Sequence, residues 1–375
     1  MHDLFLALQL IVTIATIIVV LHFWLHFLFF NVKPKTQKHL TLLRDNCNPI
    51  LSPDGETHWE AEGTFNPAAI VDEAGTVHLL YRAIGGDGVS RLGYLSSTDG
   101  MHFEKPVSYP VYESHHDAYV SDFPKEFNPS YFTSGGGWTG CEDPRMTLID
   151  GVVYMTYVAF SGWDSIRIAL TSISLKDLQN KRWNWKKYAL ISPQGEPNKN
   201  WMLFPEKIDG KFAVLHCISP EILIEYVDNL DDLTHSPIKS RPPHDGNRNY
   251  FGRENYWDNS VRSAGPPPLK TKDGWLLLYH SMDKQDPNKY KLGAMILDLK
   301  NPTRILYRSP LPILAPDMHY ENNYKPGVIY ASGAVIKKRT LYVYYGGGDR
   351  HLCIAHTPLS TLLTWLKQHG AVHNK

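Results

Sequence analysis

Apolar positions along the chain fall into two regimes. Leu4–Phe30 is a run of 27 residues without Asp, Glu, Lys or Arg. As a helix rising ~1.5 Å per residue it reaches roughly 40 Å, more than the ~30 Å hydrocarbon core of a bilayer. From about residue 60 onward the pattern changes. Short runs rich in Tyr, Leu and Val alternate with turn residues and show little 3.6-residue periodicity, which predicts an all-β fold.

Five segments of the β region align with one another. They open at Asn66-Pro67, Asp143-Pro144, Phe204-Pro205, Pro266-Pro267 and Ser332-Gly333, and each runs into an apolar strand ending at Tyr81-Arg82, Thr156-Tyr157, Leu215-His216, Tyr279-His280 or Tyr344-Tyr345. A turn divides each segment: Asp72-Glu73-Ala74-Gly75, Asp150-Gly151, Asp209-Gly210, Asp273-Gly274 and Lys337-Lys338-Arg339. Asp-Gly between two such runs is the composition of a tight hairpin. Pro67, Pro144, Pro205, Pro267 and Gly333 are spaced by 77, 61, 62 and 66 residues, and further strand-like runs follow the hairpins. About four strands per ~60 residues, five times over, predicts a five-bladed β-propeller, preceded by an N-terminal transmembrane helix. The expected division is an anchor at 1–31, a linker and lead-in at 32–60, and the propeller at 61–375.

In a propeller the openings of the repeats converge on one rim. Asn66, Glu142, Asp143, Arg145, Glu206 and Lys207 open repeats, Arg82, His216 and His280 end strands, and Asp349 closes the last repeat. Their recurrence at matching positions predicts a shared pocket. Net charge is zero, with 38 Lys plus Arg against 38 Asp plus Glu, which argues against a nucleic-acid partner. The 4 Cys show no CxxC pair and the 18 His are scattered, so neither a metal site nor a cofactor is expected. The 10 Trp and 21 Tyr suit stacking against sugar rings as well as a β core. Lys33, Lys35, Lys38 and Arg44 follow the apolar run and no basic residue precedes it, so the expectation is a single-pass membrane protein, tethered through residues 4–30, with its C-terminal domain in the cytoplasm.

Seven segments resemble glycoside hydrolase family 130: Phe65-Asn66-Pro67-Ala68, Tyr81-Arg82-Ala83, Glu142-Asp143-Pro144-Arg145, Phe204-Pro205-Glu206-Lys207-Ile208, Gly265-Pro266-Pro267-Pro268, Gly274-Trp275 through Tyr279-His280, and Tyr344-Tyr345 through Asp349. The resemblance runs in order over roughly residues 60 to 360. It implies a five-bladed propeller that cleaves or forms β-mannosidic bonds with inversion, acting on an oligosaccharide or glycoconjugate by phosphorolysis or hydrolysis. It assigns the acid to Asp143, protonating the leaving oxygen through a mannose hydroxyl, and sugar binding to Asn66, Arg82, His280 and Asp349.

The nucleophile stays open at this level. Inorganic phosphate, the one co-substrate expected, needs clustered cations or N–H donors, for which Lys199, Asn200, Lys207 and Arg262 are candidates. The resemblance departs here: the family's phosphate-binding Leu-His-Arg reads Leu215-His216-Cys217, and a further lysine falls near Val261. Losing an arginine fork weakens bidentate capture of phosphate. Hydrolysis would instead need a carboxylate to activate water, from Glu221, Glu225, Glu254 or Asp258. A membrane-tethered β-mannosyltransferase and a non-catalytic glycan-binding propeller are the alternative readings.

Overall fold

The computed structural model describes residues 39–104, 107–113, 137–161, 166–240, 252–370 and 372, with isolated positions 13, 16, 17 and 21. Two compact units divide the chain, Met1–His39 and Leu40–Lys375. Among the described residues no helix is long and apolar enough to cross a membrane. This corrects the expectation of a single-pass anchor with a cytoplasmic domain, since a span takes about 20 consecutive helical apolar residues. Most of residues 4–30 lie outside the described residues.

The second unit is all-β. Its strands, in chain order, fall into antiparallel groups: β2 (Gly63–Val71), β3 (Val77–Ile84) and β4 (Val89–Ser97); β5 (Thr139–Ile149), β6 (Val152–Ser161), β7 (Ile166–Ser174) and β8 (Ala189–Leu190); β9 (Met202–Leu203), β10 (Phe212–Cys217) and β11 (Leu223–Val227); β12 (Ser260–Ala264), β13 (Leu269–Thr271), β14 (Gly274–Asp283), β15 (Asp286–Leu297) and β16 (Ile305–Arg308); and β17 (Ile329–Lys337), β18 (Thr340–Gly347) and β19 (His351–Pro358). The first two groups join through a short parallel contact, Val89 with Thr139 and Ser90 with Gly140. β1 (Leu43–Arg44) comes from the lead-in and pairs with β19 in the last group. Arg44 locks that pairing with two charge-assisted hydrogen bonds to buried Glu321, at 2.8 and 2.9 Å.

A repeated polar anchor lies beneath this architecture. The Tyr81 hydroxyl donates to Glu60 at 2.7 Å, Tyr279 to Asp258 at 2.7 Å and Tyr345 to Glu321 at 2.8 Å. In the second group Tyr157 meets the Tyr112 hydroxyl at 3.0 Å, and in the third Leu215 stands at the corresponding place. Trp59 stacks on Tyr81 and Trp257 on Tyr279. Each of these two tyrosines crosses a glycine on the next strand: a Cβ at Gly93 would lie 2.2 Å from the Tyr81 ring, and one at Gly293 2.6 Å from Tyr279. These contacts tie β3, β6, β14 and β18 to their incoming segments, and the first strands are left to meet one another. β2 packs on both β5 and β17.

Candidate active site

Two breaks in strand regularity build the site. Pairing of β2 with β3 slips between Phe65 and Ala68, and pairing of β5 with β6 slips between Glu142 and Arg145. Inside each bulge a residue followed by proline takes a left-handed backbone, Asn66 at φ 45° and Asp143 at φ 48°. Asn and Asp tolerate that region better than most residues, and a bulge re-aims the side chain it carries. Asn200 (φ 65°) and Asp349 (φ 52°) share the conformation, so four residues of one neighbourhood hold uncommon geometry. Such clustering is characteristic of functional sites.

The bulges turn Asn66 and Asp143 toward each other. Asn66 Nδ2 donates to Asp143 Oδ1 at 2.8 Å, and Arg82 Nη1 donates to the same oxygen at 3.2 Å. Asp143 Oδ2 has no hydrogen-bond partner among the described residues. Strand alternation puts Glu142 and Asp143 on opposite faces; the bulge cancels it, and Arg82 also reaches Glu142 Oε1 at 2.9 Å through Nη2. Lys199 Nζ lies 3.2 Å from Glu142 Oε2. Burial alone would raise the Asp143 ionisation, but the charges of Arg82, Arg145 and Lys199, helped by the Asn66 hydrogen bond, outweigh it and hold the carboxyl below its ordinary value.

Arg145 is 1% exposed and braces the far side. Its Nη1 donates to the Asp143 carbonyl at 2.9 Å, Nε to Gly265 O at 2.7 Å, and Nη2 to Asn200 Oδ1 at 3.2 Å and Tyr330 Oη at 3.0 Å. It thereby fastens the strained turn of Asp143 to three other segments. His280 sits behind Tyr330, the two rings 4.5 Å apart and 7° from parallel. The Ala331 N–H donates to His280 Nε2 at 2.9 Å, so Nδ1 carries the proton facing Ser263 Oγ at 3.1 Å. Burial, then Arg145, pushes this imidazole down to about 3, and it stays neutral. Asp349 pairs with Lys325 Nζ at 2.6 Å, and its charge acts on Arg82.

Asn66, Arg82, Asp143, Lys199, Asn200, His280 and Asp349 are thus brought together. His280 is fully buried with both ring nitrogens engaged, so it backs the site from within. Arg262 lies over the Tyr290 ring, which flanks His280 and Tyr330. Lys207 does not join the cluster: it is exposed and its ammonium lies over Phe212, 4.5 Å from the ring centroid. Glu221, Glu225 and Glu254 are exposed, and Asp258 is consumed by Arg253, Arg308 and Tyr279. Tyr330 and Lys325 were not anticipated from the sequence. The one trace of Tyr330 is its place just before Ser332-Gly333, the opening of the fifth repeat.

Comparisons with known proteins bear on this arrangement. The family model of glycoside hydrolase family 130, described as beta-1,4-mannooligosaccharide phosphorylase, matches residues 44–368. A 1,2-beta-oligomannan phosphorylase of Thermoanaerobacter sp. (strain X514) is 38% identical over 328 residues, covering 84% of this chain and 97% of the relative. A beta-1,2-mannobiose phosphorylase of Listeria innocua is 34% identical over 278 residues, covering 72% and 67%. The solved Listeria innocua beta-1,2-mannobiose phosphorylase, in complex with beta-1,2-mannobiose, superposes at TM-score 0.63 with 24% identity over 88% of this chain and 100% of that one. A glycosyl hydrolase from Bacteroides ovatus gives TM-score 0.65 at 24% identity, covering 88% and 96%. The last two likenesses are of fold. Match length and identity together place this chain in glycoside hydrolase family 130.

Proposed function

We propose that this enzyme is an inverting β-1,2-mannoside phosphorylase on a five-bladed propeller spanning residues 61–375, with Asp143 as proton donor and inorganic phosphate as nucleophile. Action on β-mannosides follows from the family and from relatives at 34–38% identity, which carry β-1,2-mannoside phosphorylase names. Five antiparallel groups in chain order, the last completed by β1, support the blades.

The observation that carries the mechanism is a buried carboxyl with one oxygen pinned and the other without a partner among the described residues, ringed by Arg82, Arg145 and Lys199. Inverting cleavage needs an acid on one side of the scissile bond and a nucleophile on the other. Asn66, Arg82 and Asp349 hold the sugar. Lys199 and the Asn200 amide face phosphate, with Arg262 replacing the cation absent at Cys217. Without ligand the cation shell keeps Asp143 ionised. A phosphate dianion cancels part of that charge, so the carboxyl can take up the proton it delivers to the leaving oxygen. Hydrolysis is disfavoured because Asp258 is bonded on both oxygens and Glu221, Glu225 and Glu254 lie exposed.

Incubation with β-1,2-mannobiose with and without inorganic phosphate tests the reading. Mannose and mannose 1-phosphate should form in equal amounts, and only when phosphate is present. Mannose release at the same rate in phosphate-free buffer would refute it.

A further inference from the structure

Asn200 connects the phosphate side of the site to β17. Its Oδ1 accepts from Arg145 Nη2 at 3.2 Å and from the Tyr330 hydroxyl. A guanidinium only donates, so the carboxamide must turn its oxygen toward Arg145. Tyr330 reinforces that choice: its oxygen accepts from Arg145 Nη2 at 3.0 Å and its proton goes to the Asn200 oxygen. The Asn200 amide nitrogen therefore points away from both. It has no hydrogen-bond partner among the described residues, and Asn200 is partly exposed. Tyr330 itself is stacked on His280, whose Nε2 accepts from the N–H of Ala331, the next residue.

We infer that Tyr330 is a positioning residue that fixes the Asn200 amide with its N–H donors facing the nucleophile subsite, and so favours phosphate over water. The inference rests on the phosphorylase reading. An amide N–H complements a phosphate oxygen and has no basicity with which to deprotonate water. A carboxylate at the same place would have the opposite properties. The selectivity thus lies in the orientation of one planar group, set by Arg145 on β5 and reinforced by the Tyr330 hydroxyl on β17.

Tyr330→Phe keeps the ring and its stack and removes only the hydroxyl. Its KM for phosphate should rise about tenfold or more, the scale of one hydrogen bond to a charged group. Its KM for β-1,2-mannobiose and its melting temperature should stay close to wild type. Asn200→Asp should lose more kcat/KM for phosphate than Asn200→Ala, because the carboxylate repels the anion as well as lacking the donor. A wild type that needs phosphate, together with a Tyr330→Phe variant whose phosphate KM is unchanged or rises in step with the sugar KM, overturns this inference alone. Asn200→Asp performing no worse than Asn200→Ala also overturns it. A wild type indifferent to phosphate overturns both the function and the inference built on it.

Discussion

Asp143 and Asp258 are both buried, both bonded to arginine and both close to a first strand of a repeat, yet they are spent differently. Asp258 is fully buried. Arg253 Nε approaches its two oxygens at 3.0 and 3.2 Å, and Tyr279 and Arg308 each reach Oδ2 at 2.7 Å. Asp143 sits on a bulge in left-handed backbone and, among the described residues, has both its donors on Oδ1 and none on Oδ2. A saturated carboxylate is scaffold; a half-saturated one in strained backbone is available for chemistry.

The contrast breaks most visibly under substitution. Asp143→Asn should lower kcat by at least ~100-fold, the scale of a lost general acid, with only a modest change in melting temperature because Glu142 still pairs with Arg82. Asp258→Asn should do the reverse. Removing one partner of a buried ion pair costs about 3–5 kcal/mol, readable in denaturant unfolding, while kcat/KM of the folded fraction stays near wild type. Equal stability losses in the two variants would erase the distinction.

The two regions also differ in how far the sequence discloses them. The hairpins were legible: Asp150-Gly151 and Asp209-Gly210 turn with positive φ at both residues, as the residue types demand. Arg82, Asp143 and Asp349 stand at the ends of repeat segments in the sequence, and the structure brings their charges into one neighbourhood. What stayed hidden depends on bulges and on long-range approach. Alternation assigns Glu142 away from Asp143, and only the slipped register brings both to Arg82. Asp258 looked like a spare base because nothing local announces Arg308, 50 residues on, as its partner. Lys207 follows Glu206 in a repeat opening, but that opening turns it onto Phe212. The apolar run at 4–30 satisfied every local criterion for a span, and no described helix supports one.

Acid separates the site from the scaffold in a second way. His280 titrates at about 3 in the native state against an ordinary 6.5, through burial first and Arg145 second; burial also holds His216 and His351 at about 4. The unfolded chain therefore protonates these imidazoles first. Their contribution is complete above pH ~6.5 and erodes as pH falls toward 3. The Asp143 carboxyl is depressed below an ordinary 3.8, so its contribution survives until pH drops under the usual carboxylate range. Between pH 6.5 and 4.5 the loss belongs to the histidines, and His280 alone accounts for about 2–3 kcal/mol. Unfolding free energies measured across that window should lose about a third of their slope in His280→Asn, His216 and His351 supplying the rest, and keep it all in Asp143→Asn.

The smallest effect sharpens the idea of saturation. Tyr81 and Tyr279 occupy equivalent places, each donating to a buried carboxylate and each crossed by a glycine. Glu60 has the Tyr81 hydroxyl as its only side-chain hydrogen-bond partner among the described residues, and burial already pushes its ionisation up. Tyr81→Phe removes that partner and leaves a buried acceptor unsatisfied, a cost of about 1–3 kcal/mol. Asp258 keeps two guanidinium groups when Tyr279 becomes Phe, so the second substitution should cost only about 0.5–1.5 kcal/mol, the net worth of an ordinary hydrogen bond. Chemical denaturation of the two single variants orders them. If Tyr279→Phe proves the costlier, the arginines do not saturate Asp258, and its contrast with Asp143 loses its physical basis.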